Sequence, residues 1–104
     1  MYAEIVGLAG TPYETGVFEL EVVVAERYPY EPPSVRFLTQ IYHTNIDTGG
    51  RICLDVLKMP PKGAWKPSIN IGTVLASIQQ LMAEPNPDDA LMSDIVGSFT
   101  LDRS

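Results

Sequence analysis

One cysteine and one histidine are all that the 104 residues hold of the two side chains that most often bind zinc. A single cysteine excludes an internal disulfide, and the pair falls short of a zinc ligand set unless carboxylates or a second chain contribute. Basic residues are also few. Seven Lys and Arg against thirteen Asp and Glu leave a net charge of −6, which argues against a nucleic-acid partner, since phosphate binding needs clustered cations. No apolar run approaches the roughly 18 residues that span a bilayer. The N-terminus MYAEIV also lacks the basic start of a secretory leader, so an intracellular protein without a membrane segment is expected.

What is present has ordinary globular composition, 45% hydrophobic and 19% charged. With no repeat and no low-complexity linker, residues 1–104 read as one domain. Four of the seven cations, Arg51, Lys58, Lys62 and Lys66, lie close together, whereas Glu84, Asp88, Asp89, Asp94 and Asp102 make the C-terminal part acidic. Two solvated faces would look like this, and so would a basic loop facing a partner with an acidic rim beside a site.

VFELEVVV, residues 17–24, alternates Phe18, Leu20, Val22 and Val24 with Glu19 and Glu21, the period of a strand with one buried face. YAEIVGL before it and SVRFLT after it are shorter strand candidates, separated by turn chemistry in AGTPYETG and YPYEPP. Strands joined this closely favour an antiparallel meander. In NIGTVLASIQQLMAEPNP the period changes. Ile71, Val74, Leu75, Ile78 and Leu81 share one helical face, Asn70 caps it and Pro85 stops it. A further helical turn fits LMSDIVGSF. Strands followed by helix predict an α+β domain with the helix packed on one face of the sheet.

HTNIDTGGRICLDVL, residues 43–57, holds both rare side chains. If its second half is extended, Ile52, Leu54 and Val56 face the core, and Cys53 points outward with Asp55. Arg51 shares that side and sets a cation beside the thiol. The alternative is a buried cysteine acting as a small hydrophobe. A Cys53–His43 dyad, as in a cysteine hydrolase with His43 as base, is weakly supported: ten residues of separation force no contact and no orienting third group is specified. A histidine in such a turn is more often a structural hydrogen-bonding residue. Asn45 is the more suggestive neighbour, because a side-chain amide can donate to an oxyanion. A cysteine acyl carrier beside an asparagine, without a strong base, suits thioester chemistry with an amine acceptor.

TPYETGVFELEVVVAERYPYEPPSVRFLTQIYHTNID, GGRICLDVLK, the W-x-P of Trp65 to Pro67 and EPNPDD occur in that order. In this the sequence resembles the ubiquitin-conjugating (E2) enzymes over nearly its whole length. That family has a T-P-Y-x-x-G turn, a Y-P-x-x-P-P loop, an H-P-N motif ahead of an I-C-L-D segment, and a P-N-P-D-D-P gate. The long loop KMPPKGAWKPS after Cys53 looks like that of the T-type branch, which works in the Fanconi anaemia DNA-repair pathway.

The resemblance implies a catalytic core with an antiparallel meander on a central helix, and nuclear or cytoplasmic residence. Cys53 would take the ubiquitin C-terminus from an activating enzyme (E1) as a thioester. Asn45 would stabilise the oxyanion or support the loop that does so, with His43 structural. Asp89 would orient or deprotonate the substrate lysine, and Asp55 would line the groove beside the thiol. A RING-type ligase (E3) would dock on Pro29 and Tyr30 in the first loop and on Trp65, Lys66 and Pro67 in the second, though Trp65 also suits the core. No cofactor or metal is implied; ATP is consumed upstream by the activating enzyme. Lys58 is close enough to Cys53 in sequence for self-modification.

Departures from the family are as informative. Thr44 stands where the motif has its proline, and Ala90 stands after the two gate acids; both loosen loops that proline would restrict. No counterpart of the family's N-terminal helix or of its later helices is visible, so a truncated core is expected. A truncated core could be a working conjugating enzyme or a non-catalytic ligase-binding module.

Overall fold

The computed structural model describes residues 1–86. Three strands, β1 (Tyr2–Val6), β2 (Val17–Val23) and β3 (Ser34–Phe37), form an antiparallel sheet in the order β1-β2-β3. The meander expected from the short connections is therefore the one adopted. Register places Ala3 opposite Leu20, Leu20 opposite Phe37 and Val22 opposite Val35, which gathers the apolar set of all three strands on one face. On the other face Arg36 lies opposite Glu21 and pairs with it at 3.0 Å.

The strands are shorter than the apolar patterns that predict them. β1 stops at Val6 because Gly7 turns the chain against Tyr13: a Cβ there would lie 1.8 Å from the Tyr13 carbonyl oxygen, so only glycine fits. β3 stops at Phe37, and the chain returns beside it through the turn at 47–50. In that turn Asp47 Oδ1 accepts the N–H groups of Gly49 and Arg51 at 3.0 and 2.8 Å. Gly50 there has φ +88, and a Cβ on it would strike the Phe37 oxygen at 2.1 Å.

The single helix among the described residues, α1 (Ile71–Ala83), follows the expected cap and face. Asn70 Oδ1 accepts the Thr73 N–H at 2.8 Å, and Val74, Ile78, Leu81 and Met82 are buried. These meet Ile5, Leu20, Val22, Val35 and Phe37 from the sheet, with Ile41, Ile46, Ile52 and Trp65 closing the core from the loops. Leu75 and Ile71 lie at its margin, partly buried. Sheet, helix and core agree with the α+β expectation. The segment LMSDIVGSF lies outside the described residues.

Candidate active site

His43 to Ile46 forms a tight turn between the sheet and the end of α1, and every polar group it buries is engaged. His43 is buried; its Nδ1 accepts the Asn45 N–H at 3.0 Å, which puts the ring proton on Nε2, where it is donated to the Leu81 carbonyl at 2.8 Å. Burial pushes the His43 pKa below its ordinary 6.5, opposed in part by backbone hydrogen bonds to Leu81 and Met82, so the ring is neutral at physiological pH. With both nitrogens committed to backbone, His43 is not placed to serve Cys53 as a base. Tyr13 supports the same turn from outside, its hydroxyl donating to the Tyr42 carbonyl at 2.6 Å.

Asn45 is fully buried, at 0% exposure. Its Oδ1 accepts the Asn86 N–H at 2.7 Å, and its Nδ2 donates to the Asn86 carbonyl. Thr44 adds a third bond, its hydroxyl donating to the same Oδ1 at 3.3 Å. The carboxamide thus clamps the chain leaving α1, the approach to the acidic gate. Of the two roles the sequence leaves open for Asn45, the geometry is that of loop support. Asp89, with Asp88, lies outside the described residues.

Cys53 is tied to this turn by one backbone bond, its N–H donating to the Asn45 carbonyl at 2.8 Å, and its side chain is half-buried. The extended reading of the segment is corrected here. The extended backbone continues past the isolated bridges at Arg51 and Ile52 to Leu54, at φ −147 and ψ 133, and only then gives way to a single 3₁₀ turn over Asp55–Leu57. Leu54 and Val56 are only partly buried as a result. Asp55 is exposed at the start of that turn and acts through its main chain: its carbonyl accepts the N–H groups of Lys58 and Ala64 at 3.0 and 2.8 Å.

The turn changes which cation meets the thiol. Arg51 pairs with Asp47 at 3.3 Å instead. Lys58, folded back by the turn and held again where its carbonyl accepts the Trp65 N–H at 3.1 Å, places Nζ 3.5 Å from Cys53 Sγ. Closeness in sequence had already marked Lys58 as a neighbour of Cys53, but the assumption of period two gave the place beside the thiol to Arg51.

Trp65 corrects the other part of the expected docking surface. It is 2% exposed, its indole N–H donates to the Pro29 carbonyl at 2.9 Å, and its ring lies 6.1 Å from that of Tyr28. A side chain so enclosed presents no face to a partner. It joins the two loops from beneath, which brings exposed Pro29 and Tyr30, the latter 66% exposed, into one surface with exposed Lys66 and Pro67. Among the described residues no three His, Cys, Asp or Glu side chains gather as a metal ligand set would, and no helix is long and apolar enough to cross a membrane.

The family profile described as ubiquitin-conjugating enzyme matches residues 1–104. Ubiquitin-conjugating enzyme E2 T of Bos taurus is 69% identical over 101 residues, 97% of this chain and 52% of that protein. Its Homo sapiens counterpart is 68% identical over 101 residues, 97% and 51% of the respective chains. This chain spans about half the length of the curated relatives it matches. A solved ubiquitin conjugating enzyme E2 domain from Toxoplasma gondii is 40% identical with a TM-score of 0.88, covering 98% of this chain and 69% of that one. With the profile matching the whole length and relatives 68–69% identical over 97% of it, the chain belongs to the ubiquitin-conjugating enzyme family.

Proposed function

We propose that this chain is the catalytic segment of a ubiquitin-conjugating enzyme that carries ubiquitin on Cys53 and passes it to a substrate lysine with a RING-type ligase. In loading, the Cys53 thiolate attacks the thioester between ubiquitin and the activating enzyme and expels that enzyme's thiolate. In transfer, the substrate amine attacks the Cys53 thioester carbonyl, the carbonyl oxygen becomes an oxyanion, and collapse expels the Cys53 thiolate as the amide forms. A thioester is already activated, so the protein's work is to place the amine, accept its proton and stabilise developing charge. Asp89 is the residue proposed to orient the amine and take its proton.

The observation that carries this reading is the setting of Cys53. Its thiol is partly accessible on an arm whose backbone is anchored to a fully bonded turn, and the only histidine is committed elsewhere. That arrangement suits a carrier of an activated acyl group better than a hydrolase, which needs a base on the nucleophile. The surface of Pro29, Tyr30, Lys66 and Pro67, braced by Trp65, supports ligase docking. The E2 T relatives support a T-type assignment; the further proposal of monoubiquitination in DNA repair in the nucleus rests on the resemblance to that branch.

The test is a charging reaction with activating enzyme, ubiquitin and ATP, resolved on a non-reducing gel. A ubiquitin adduct that disappears on adding thiol is expected, and it is absent from Cys53→Ala. If the unsubstituted protein gives no such adduct, the enzyme reading fails and a non-catalytic ligase-binding module remains.

A further inference from the structure

Thr44 is where this chain departs from its family's motif, and the structure shows a hydroxyl engaged where a proline would have none. Thr44 is 6% exposed, and its Oγ1 donates to Asn45 Oδ1, the oxygen that also accepts the Asn86 N–H. The Asn86 N–H and carbonyl set which way round the carboxamide sits, and the Thr44 hydroxyl adds a third bond that holds it there. Thr44 borders a groove of about 260 Å³ that runs between Tyr13, Tyr42 and the end of α1 at Met82 and Ala83.

We propose that Thr44 is a positioning residue for the transfer step: its hydroxyl replaces the order that proline's fixed φ supplies elsewhere by locking the Asn45 carboxamide onto the Asn86 peptide. The Asn45 carbonyl holds the Cys53 N–H, and its side chain holds the chain leading to Asp88 and Asp89. A carboxamide that swings free releases the Asn86 peptide from the turn that anchors the Cys53 arm, so amine attack slows while loading, which needs only the thiol, does not. This rests on the reading of Cys53 as acyl carrier.

The experiment compares Thr44→Val, which keeps shape and removes the hydroxyl, with Thr44→Ser, which keeps the hydroxyl. Each is charged with ubiquitin, and discharge of the preformed thioester to free lysine is followed in single turnover. Thr44→Val is expected to load at the unsubstituted rate and to discharge roughly tenfold more slowly, with Thr44→Ser restoring discharge. Unaltered discharge in Thr44→Val, or Thr44→Ser as slow as Thr44→Val, overturns the proposal and leaves the acyl-carrier reading intact. Absence of any thioester on the unsubstituted protein overturns the acyl-carrier reading and this proposal with it. A second readout does not depend on the folding of Thr44→Val. In the unsubstituted protein the Asn45 side-chain amide protons should be protected from solvent exchange by NMR, and exchange as fast as for an exposed asparagine overturns the locking.

Discussion

The turn at residues 43–46 and the arm at 53–58 are joined by one backbone hydrogen bond, from Cys53 to Asn45, yet they are built differently. In the turn, His43, Thr44 and Asn45 are buried polar residues, and their side chains all bond to the turn itself or to the end of α1. In the arm, Cys53 is half-buried and Lys58 exposed, and order comes from backbone bonds through the Asp55 and Lys58 carbonyls. Polar groups in low dielectric are costly unless bonded, so a saturated turn is rigid and has no donor to spare. The arm keeps its backbone fixed and its reactive side chains accessible. The contrast teaches that the rare histidine and the rare cysteine, ten residues apart, are set differently: one is spent on shaping the turn and the other is left partly accessible.

Substitutions that strike the turn should therefore act on fold and transfer together, and those that strike the arm or the docking surface on one activity alone. The largest effect is expected for Asn45→Ala. It removes the two hydrogen bonds from the buried Asn45 carboxamide to the Asn86 peptide, costing about 1–3 kcal/mol of stability. It also slows thioester discharge by about a hundredfold, the scale of misplacing reacting groups by roughly an ångström when their support is lost. Chemical denaturation and single-turnover discharge measure the two.

His43→Ala strands the Leu81 carbonyl and the Asn45 N–H and should cost about 2–3 kcal/mol. Acid should do part of the same damage. Because burial lowers the His43 pKa in the folded state, the unfolded chain binds the proton more readily, and stability rises with pH through this region. Its contribution is complete above the ordinary pKa of 6.5 and is lost as pH falls below that value toward the depressed one. Thermal melts at stepped pH should show this slope and lose it in His43→Gln.

A smaller, more selective effect is expected on the surface braced by Trp65. Tyr30→Ala should leave loading and unaided discharge unchanged and reduce ligase-stimulated discharge several-fold, at the scale of one exposed aromatic anchor. The smallest effect on rate belongs to Lys58→Arg, which keeps the cation and removes the nucleophilic amine. Self-ubiquitination at residue 58, expected because Nζ lies 3.5 Å from Sγ, should vanish from peptide mass spectra while loading persists.

Much of the scaffold was legible because it follows from period. Phe18, Leu20 and Val22 alternate and form the inner face of β2; Val74, Ile78 and Leu81 recur at helical spacing and form the buried face of α1, with Asn70 as its cap. The structural character of His43 was legible from its turn, but its contact with Leu81, 38 residues away, was not, since only packing creates it. The nearness of Lys58 to Cys53 was legible from sequence distance, but its replacing Arg51 as the cation beside the thiol was not, because the geometry changes from extended to 3₁₀ within the motif. For Trp65 the sequence left docking and core both open, because an aromatic residue in a proline-rich loop has the same pattern whether it faces solvent or roofs a core. Motif order identified Cys53 as the carrier candidate, while the arm's geometry depends on backbone bonds that no residue type announces.

The central claim, that the arm carries the acyl group while the turn only supports it, is tested most directly by locating the ubiquitin adduct after charging, using peptide mass spectrometry under non-reducing conditions. The adduct is expected on Cys53, removable by thiol, and in Cys53→Ser it should become an ester that resists thiol. An adduct that persists in Cys53→Ala, or a protein that stays unmodified with active upstream enzyme, would contradict the account.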